Sequence, residues 1–383
     1  MSAQRFTNNL PARLYAVRIY GVLALTLVVA GILVPSFLQP LNLENTVIQA
    51  SPNGLMALGE TLVIFMGCID LSVGSTLALS GLVAVILQGP LGPWPAVLVG
   101  VLSGTGVGVI NGLVVTRLGV NAFIATLGTM TGIAGVSLMI SGGNPISPPN
   151  IGFGLPMNNA IIWWLPPPTV AFVGLCILLH ILVTRTRVGR NLMSVGGNRE
   201  ASRRAGLRPN AYVFGAYVAC GTFAGLSGVM LALSLATGSP IIGSVSVLPV
   251  IASVVVGGAS LLGGAGSVVK TGVGVLIIGS LSMAMDIANV SSWDQDIVLG
   301  GVLLFVVLMG TLGQGGTPGR LRGSTRRERR VSSVIGEAEK GVRLEESSSV
   351  AALTATRSHQ EETSMRKEEA SMRGYKITGG DQI

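Results

Sequence analysis

What most limits how this chain can fold is the placement of its charges. Residues 1–317 carry 12 Lys+Arg and 7 Asp+Glu, whereas the last 66 residues carry 13 and 10. A water-soluble domain of the first length could not clothe its surface with so few ionised groups. A helix needs roughly 20 apolar residues to cross the hydrocarbon core of a bilayer. Ten segments approach that length: 17–37, 47–67, 73–87, 95–115, 122–140, 161–184, 211–235, 247–262, 268–286 and 297–312. The third and eighth are short and interrupted by glycine. The expected fold is an all-α integral membrane protein with about ten transmembrane helices, some broken or short.

The same pattern divides the chain into an N-terminal segment 1–16, a transmembrane domain 17–317 with a basic loop at 185–210, and a charged tail 318–383. The first apolar run follows Arg5, Arg13 and Arg18 as in a secretory signal. Pro35 and Phe37 stand where a small-residue cleavage site would lie, so it reads as a retained helix. The tail is rich in Arg, then alternates Ser, Glu and Lys. It has too little apolar content for a core and is expected to be disordered. Its first arginines, Arg320 and Arg322 among them, suit anionic membrane lipid.

Lys and Arg beside span ends favour the cytoplasmic side. With ten spans and a cytoplasmic N-terminus, Arg5, Arg13, Arg18, Arg117, the arginines of 185–208, Lys270 and the tail all fall there. The connections around Asn42, Gly89, 142–159, Gly238 and Val290 hold no Lys or Arg. Both termini are therefore expected in the cytoplasm, and the chain in the inner (plasma) membrane.

Little in the sequence suggests catalysis. His180 stands alone in its span, and Cys68, Cys176 and Cys220 have no CxxC spacing, so neither a metal site nor a disulfide framework is expected. No nucleophile is paired with a base. No Gly-x4-Gly-Lys-Ser/Thr loop occurs, so the chain is not expected to be an ATPase. No cofactor and no nucleic-acid partner are expected. Gly100, Gly104, Gly108 and Gly112 put bare backbone along one helix face, which suits close helix packing in lipid. Lining of a solute path is the alternative.

Ionisable groups inside spans tend to mark pathways. Glu60 lies within the second segment. Asp70, in "GCIDLSVGS", falls where one span stops and the next begins, so it either caps the new helix or forms a gate contact. A second Gly-rich break occurs in "VVVGGASLLGGAGSVVKTG". Broken backbone at membrane depth persists only when buried in protein or lining a cavity. The candidates for a pathway or gate are Glu60, Asp70, Ser72, Ser75, Asn121, Thr126, Gly257, Gly258 and Ser260. Such backbone and hydroxyl polarity fits an uncharged hydroxylated solute better than an ion. Glu60 keeps open the alternative of an ion-coupled secondary transporter of a small neutral solute.

The passage "VGRNLMSVGGNREASRRAGLRP" sets Arg190, Arg199, Arg203, Arg204 and Arg208 against one acid, Glu200. "NREASRRAG" reads as a short helix with Asn198 at its N-cap, Glu200 in the first turn, arginines in the last and Gly206 as a left-handed stop. Topological anchoring alone could explain the arginines; the stop and start signals favour a docking surface. "EASRRAG" also resembles the coupling helix by which ABC importer permeases dock on their ATP-binding subunits. "GRNLMSVGGNREASRRAG", "TLVIFMGCIDLSVGSTLALSG", "FIATLGTM", "SGGNPIS" and "SVVVGGASLLGGAGSV" are similar to ordered signatures of ribose-type sugar permeases, over residues 43–309. Departures from that family's pattern are Cys68 in place of the usual Gly, Asn121 near a common proline position, and Ala134 for a frequent Arg.

The resemblance implies a ten-span importer subunit that passes a ribose-like monosaccharide or small polyol. It implies two ATP-binding cassette subunits, a second permease copy (the same chain or a paralogue) and a periplasmic or lipid-tethered sugar-binding protein. The coupling loop would comprise Gly189, Arg190, Gly196, Gly197, Asn198, Glu200, Ala201, Ala205 and Gly206.

Overall fold

A computed structural model of the protein describes residues 10–314, with side chains from 18 to 308. These residues form helices, with isolated β-bridges only at Ile146 with Gly238 and Ile162 with Leu165. The helices are α1 (Leu10–Leu33), α2 (Pro40–Phe65), α3 (Val73–Ile86), α4 (Pro93–Thr116), α5 (Ala122–Ser141), α6 (Pro167–Arg185), α7 (Arg187–Gly197), α8 (Arg199–Arg204), α9 (Pro209–Ser234), α10 (Val247–Val256), α11 (Val268–Ile287) and α12 (Ser292–Gln314), with short helical turns between some of them. Each of the ten apolar segments overlaps one helix, and α7 and α8 occupy the basic loop. Among the described residues, α4, α5, α6, α9 and α11 are long and apolar enough to cross a membrane. Arg18–Leu33, Val73–Ile86 and Ser244–Val256 are shorter apolar stretches. The tail 318–383 lies outside the described residues.

Several helix ends differ from the sequence reading: α1, α2 and α12 begin earlier, at Leu10, Pro40 and Ser292 instead of residues 17, 47 and 297. The eighth segment stops being helical at Val256 instead of residue 262, because Gly257 ends it and Gly258 turns left-handed at φ +83°. The sixth begins at Pro167 instead of residue 161. Ile162 and Leu165 close a turn through Trp163 at φ +55°, and prolines start the helix.

α2 runs through the centre and packs on α6, α9, α10 and α11. Every residue from Gly54 to Phe65 is buried. A helix enclosed by protein need not be apolar all round, provided its polar groups find partners. Ser51 bonds Thr169 at 2.9 Å and Thr61 bonds Thr271 at 3.0 Å, tying α2 to α6 and α11. Ser227 of α9 donates to the Pro52 carbonyl at 2.8 Å.

α4 and α9 pack backbone against backbone. A Cβ on Gly104 would stand 2.6 Å from the Gly221 carbonyl oxygen, and one on Gly108 2.3 Å from that of Tyr217. Gly112 faces the Phe214 ring, and Gly100 faces Ala84 and Val229.

Candidate functional site

The site begins at the C-terminus of α2. Gly67 donates to Ile64 O at 2.9 Å and Cys68 to Val63 O at 3.2 Å, with Gly67 at φ +66°, which is a Schellman stop. The carbonyls of Phe65 and Met66 are left without intrahelical partners. Two distant segments satisfy them. The Gly264 N–H, from the loop 257–267, reaches Phe65 O at 2.9 Å. The Arg199 guanidinium, from α8, donates through Nη2 to Met66 O at 2.8 Å and to Cys68 Sγ at 3.1 Å.

Glycine is required here because backbones touch. A Cβ on Gly196 would lie 1.8 Å from Phe65 O, and one on Gly264 would lie 2.4 Å from Gly197 Cα. Both Gly-rich breaks and the basic loop therefore meet at one junction. A cavity of about 460 Å³ opens beside it, lined by Cys68, Asn121, Arg199 and Leu262 among others.

Beyond Gly67 lies a buried polar network. Glu60 Oε1 accepts the Asp70 N–H at 3.1 Å. Asp70 Oδ1 accepts the Ser72 N–H at 2.9 Å and the Ser72 hydroxyl at 2.6 Å. Asn111 Nδ2 donates to Ser72 Oγ at 2.8 Å and faces both Asp70 oxygens at 3.3 and 3.4 Å. Its Oδ1 accepts from Thr129 at 2.7 Å. Tyr217 and Thr126 donate to the Ile69 carbonyl at 3.3 and 3.4 Å. Glu60 and Asp70 are fully buried, and among the described residues neither carboxylate makes an ion pair with Lys or Arg.

Asp70 does not reach the first turn of α3, whose N-cap Ser72 makes no side-chain cap bond. It closes an Asx-turn ahead of that helix. Ser75 bonds Ser72 O at 3.0 Å, and Asn121 caps α5 by accepting from Phe123 N–H at 3.0 Å. Glu60, Asp70, Ser72, Ser75 and Thr126 thus gather at the first break. Gly257 packs on the backbone of Lys270 and Thr271, and Ser260 bonds Ala265 within its own loop at 2.9 Å. With Gly258 they stand apart, since their loop touches the first break through Leu262, Gly263 and Gly264. The sequence reading passed over Asn111 and Tyr217, and missed the link made by Arg199. An amide inside the otherwise apolar fourth segment was the one available signal for Asn111.

In the basic loop, Gly189 in the first turn of α7 lets that helix lie against the end of α6; a Cβ there would lie 2.2 Å from Val183 O. Arg190 reaches back to Arg185 O at 3.4 Å. α7 buries Gly189, Leu192 and Val195. Asn198 caps α8 by accepting from Ala201 N–H at 2.9 Å. Gly206, at φ +83°, donates to Arg203 O while Leu207 donates to Ser202 O, both at 3.0 Å, so α8 also ends in a Schellman motif. Glu200 pairs with Arg204 at 3.2 Å and Arg203 at 3.9 Å. Glu200, Ala201, Arg203, Arg204, Ala205 and Gly206 lie on this capped loop, and all of them are exposed. Among the described residues no group of three His, Cys, Asp or Glu could hold a metal ion.

Stacked apolar helices, five of them long and apolar enough to cross a membrane, with a buried polar break and a capped basic loop, define the class as a helical membrane protein. The chain belongs to the family described as branched-chain amino acid transport system / permease component, which matches residues 42–307. It is 39% identical to the ribose import permease protein of Bacillus subtilis (strain 168), over 75% of this chain and 90% of that one. The D-allose transport system permease protein of Escherichia coli (strain K12) is 33% identical, over 76% and 90%. The L-arabinose transport system permease protein of the same strain is 33% identical, over 76% and 89%. No solved structure matches the chain.

Proposed function

We propose that this chain is the membrane-spanning subunit of an ABC importer that carries a monosaccharide, a ribose-like pentose or similar small polyol, across the inner membrane. The observation that carries this reading is the likeness, over about nine tenths of their length, to permeases named for ribose, D-allose and L-arabinose. The chain performs no chemistry on its solute, and ATP is hydrolysed on separate cassette subunits. Ten spans lie within 17–317, both termini and the tail 318–383 are cytoplasmic, and the basic loop 185–210 faces the ATPase. The chain works with a second permease copy, a sugar-binding protein and membrane lipid.

α8 supports the docking role, because its exposed side is framed by a cap at each end and carries Glu200, Arg203 and Arg204. The gate is assigned to the break between α2 and α3, with Glu60, Asp70 and Ser72 at its centre. That buried carboxylate pair also favours a second reading, ion-coupled transport by this chain alone. Reconstitution into proteoliposomes separates the two. Uptake should require ATP, the cassette subunit and the binding protein. Gly206→Val forces a β-branched residue to φ +83°, a strain of roughly 1–3 kcal/mol confined to the loop. It should leave the chain inserted while reducing co-purification of the cassette subunit and solute-stimulated hydrolysis. Uptake by the permease alone under an ion gradient, or normal ATPase binding by Gly206→Val, overturns the reading.

A further inference from the structure

We infer that Arg199 is the positioning residue that links the docking helix to the buried gate, by holding the C-terminal carbonyl of α2. The inference rests on the docking role proposed for α8. That helix has six residues and little grip on the bundle: Ser202 is its one buried side chain. The Arg199 guanidinium is its polar hold, reaching Met66 O at 2.8 Å and Cys68 Sγ at 3.1 Å. A cation at that place meets the negative end of the α2 dipole and makes a charge-assisted hydrogen bond.

The turn that Arg199 grips is pinned along its length. Met66 and Cys68 flank the left-handed Gly67, and Asp70 lies two residues beyond Cys68. The Asp70 N–H is held by Glu60, and its carboxylate by Ser72 and Asn111. A shift of α8 therefore arrives, through one side chain and the turn 67–72, at the start of α3. The next residue in the chain after Arg199 is Glu200, which faces outward with 60% of its side chain exposed. Adjacent residues thus face the partner surface and the gate. Gly196 presses on Phe65 at the end of α2, and Gly197 on Gly264, through backbone alone, which fixes the distance but provides no bond to pull on.

The test uses the assembled transporter, with cassette subunit and binding protein, in proteoliposomes. Arg199→Gln should retain the cassette subunit and the KM for loaded binding protein. Uptake per ATP hydrolysed should fall about tenfold, the scale of an ordinary coupling free energy. Arg199→Lys keeps a cation at the end of α2 and should recover most of the ratio. A readout that a merely structural residue would not move is the Cys68 thiol, which lines the cavity beside Arg199. In a Cys176→Ser background, N-ethylmaleimide should label Cys68 faster in Arg199→Gln than in the parent. With Arg199 intact, labelling should differ between nucleotide-free and vanadate-trapped states.

An unchanged ratio of uptake to hydrolysis in Arg199→Gln overturns the inference, as do equal labelling rates in the two nucleotide states. The labelling comparison stands even if Arg199→Gln fails to accumulate. Loss of the cassette subunit from Arg199→Gln places Arg199 on the docking surface itself; it overturns the link and leaves the docking reading standing. Failure of the docking reading shows separately, as normal ATPase binding by Gly206→Val.

Discussion

Asp70 shows how much a single buried side chain must satisfy. Its carboxylate receives the Ser72 N–H and hydroxyl and faces the Asn111 amide, while its own N–H goes to Glu60. Asp70→Asn keeps an acceptor oxygen for Ser72 and should insert, fold and transport with modest loss. Asp70→Leu strands the Ser72 N–H and hydroxyl, at roughly 1–3 kcal/mol for each buried donor left unpaired. Thermal unfolding in detergent should show a clear drop in Tm for Leu and a small one for Asn. If Asn is as inactive as Leu at normal Tm, the charge itself is needed for gating. The local motif "GCIDLSVGS" placed Asp70 at a helix start. Only Ser72 among its partners lies in that motif; Glu60 and Asn111 could not be read there, because they lie 10 and 41 residues away in sequence.

At the scale of helices, the spacing of glycines predicts where backbones can approach, and the third dimension decides which of them do. Gly104 of α4 lies against Gly221 and Gly225 of α9, whereas Gly128, Gly132 and Gly135 of α5 have no neighbour within 4 Å. Gly104→Ala must push a methyl group to within 2.6 Å of the Gly221 carbonyl oxygen. It should destabilise the protein by about 1–3 kcal/mol, as overpacking does. Gly135→Ala should remain within about 1 kcal/mol of wild type, since alanine favours helix and nothing crowds it. Unfolding midpoints of the two variants give the comparison, and equal shifts would contradict the α4–α9 contact. Helix existence was legible from apolar length. The early end of α10 was less so, because "VVVGGASLL" stays apolar through a break that the glycines make.

For the molecule as a whole, the split in charge between residues 1–317 and the remainder decided that the chain belongs in a membrane, because lipid tolerates few ionised groups and water demands many. Residues 331–383 lie outside the described structure, and their composition supplies little to a core. Deleting them should leave insertion and ATP-driven uptake within about twofold of the full chain at equal expression. A larger loss would give the tail a working role. By itself the sequence determined the helical membrane class, most helix positions, the capped basic loop and the two Gly-rich breaks. These rest on local signals: apolar run length, caps and left-handed glycines. Only the tertiary structure decided that the breaks and the loop meet at Phe65, Met66 and Gly67, that Glu60 and Asp70 share one network, and that Arg199 spans from one to the other. Those contacts join residues as far as 133 positions apart, and which carbonyl an arginine finds at that range depends on how the helices pack, not on its neighbours in the chain.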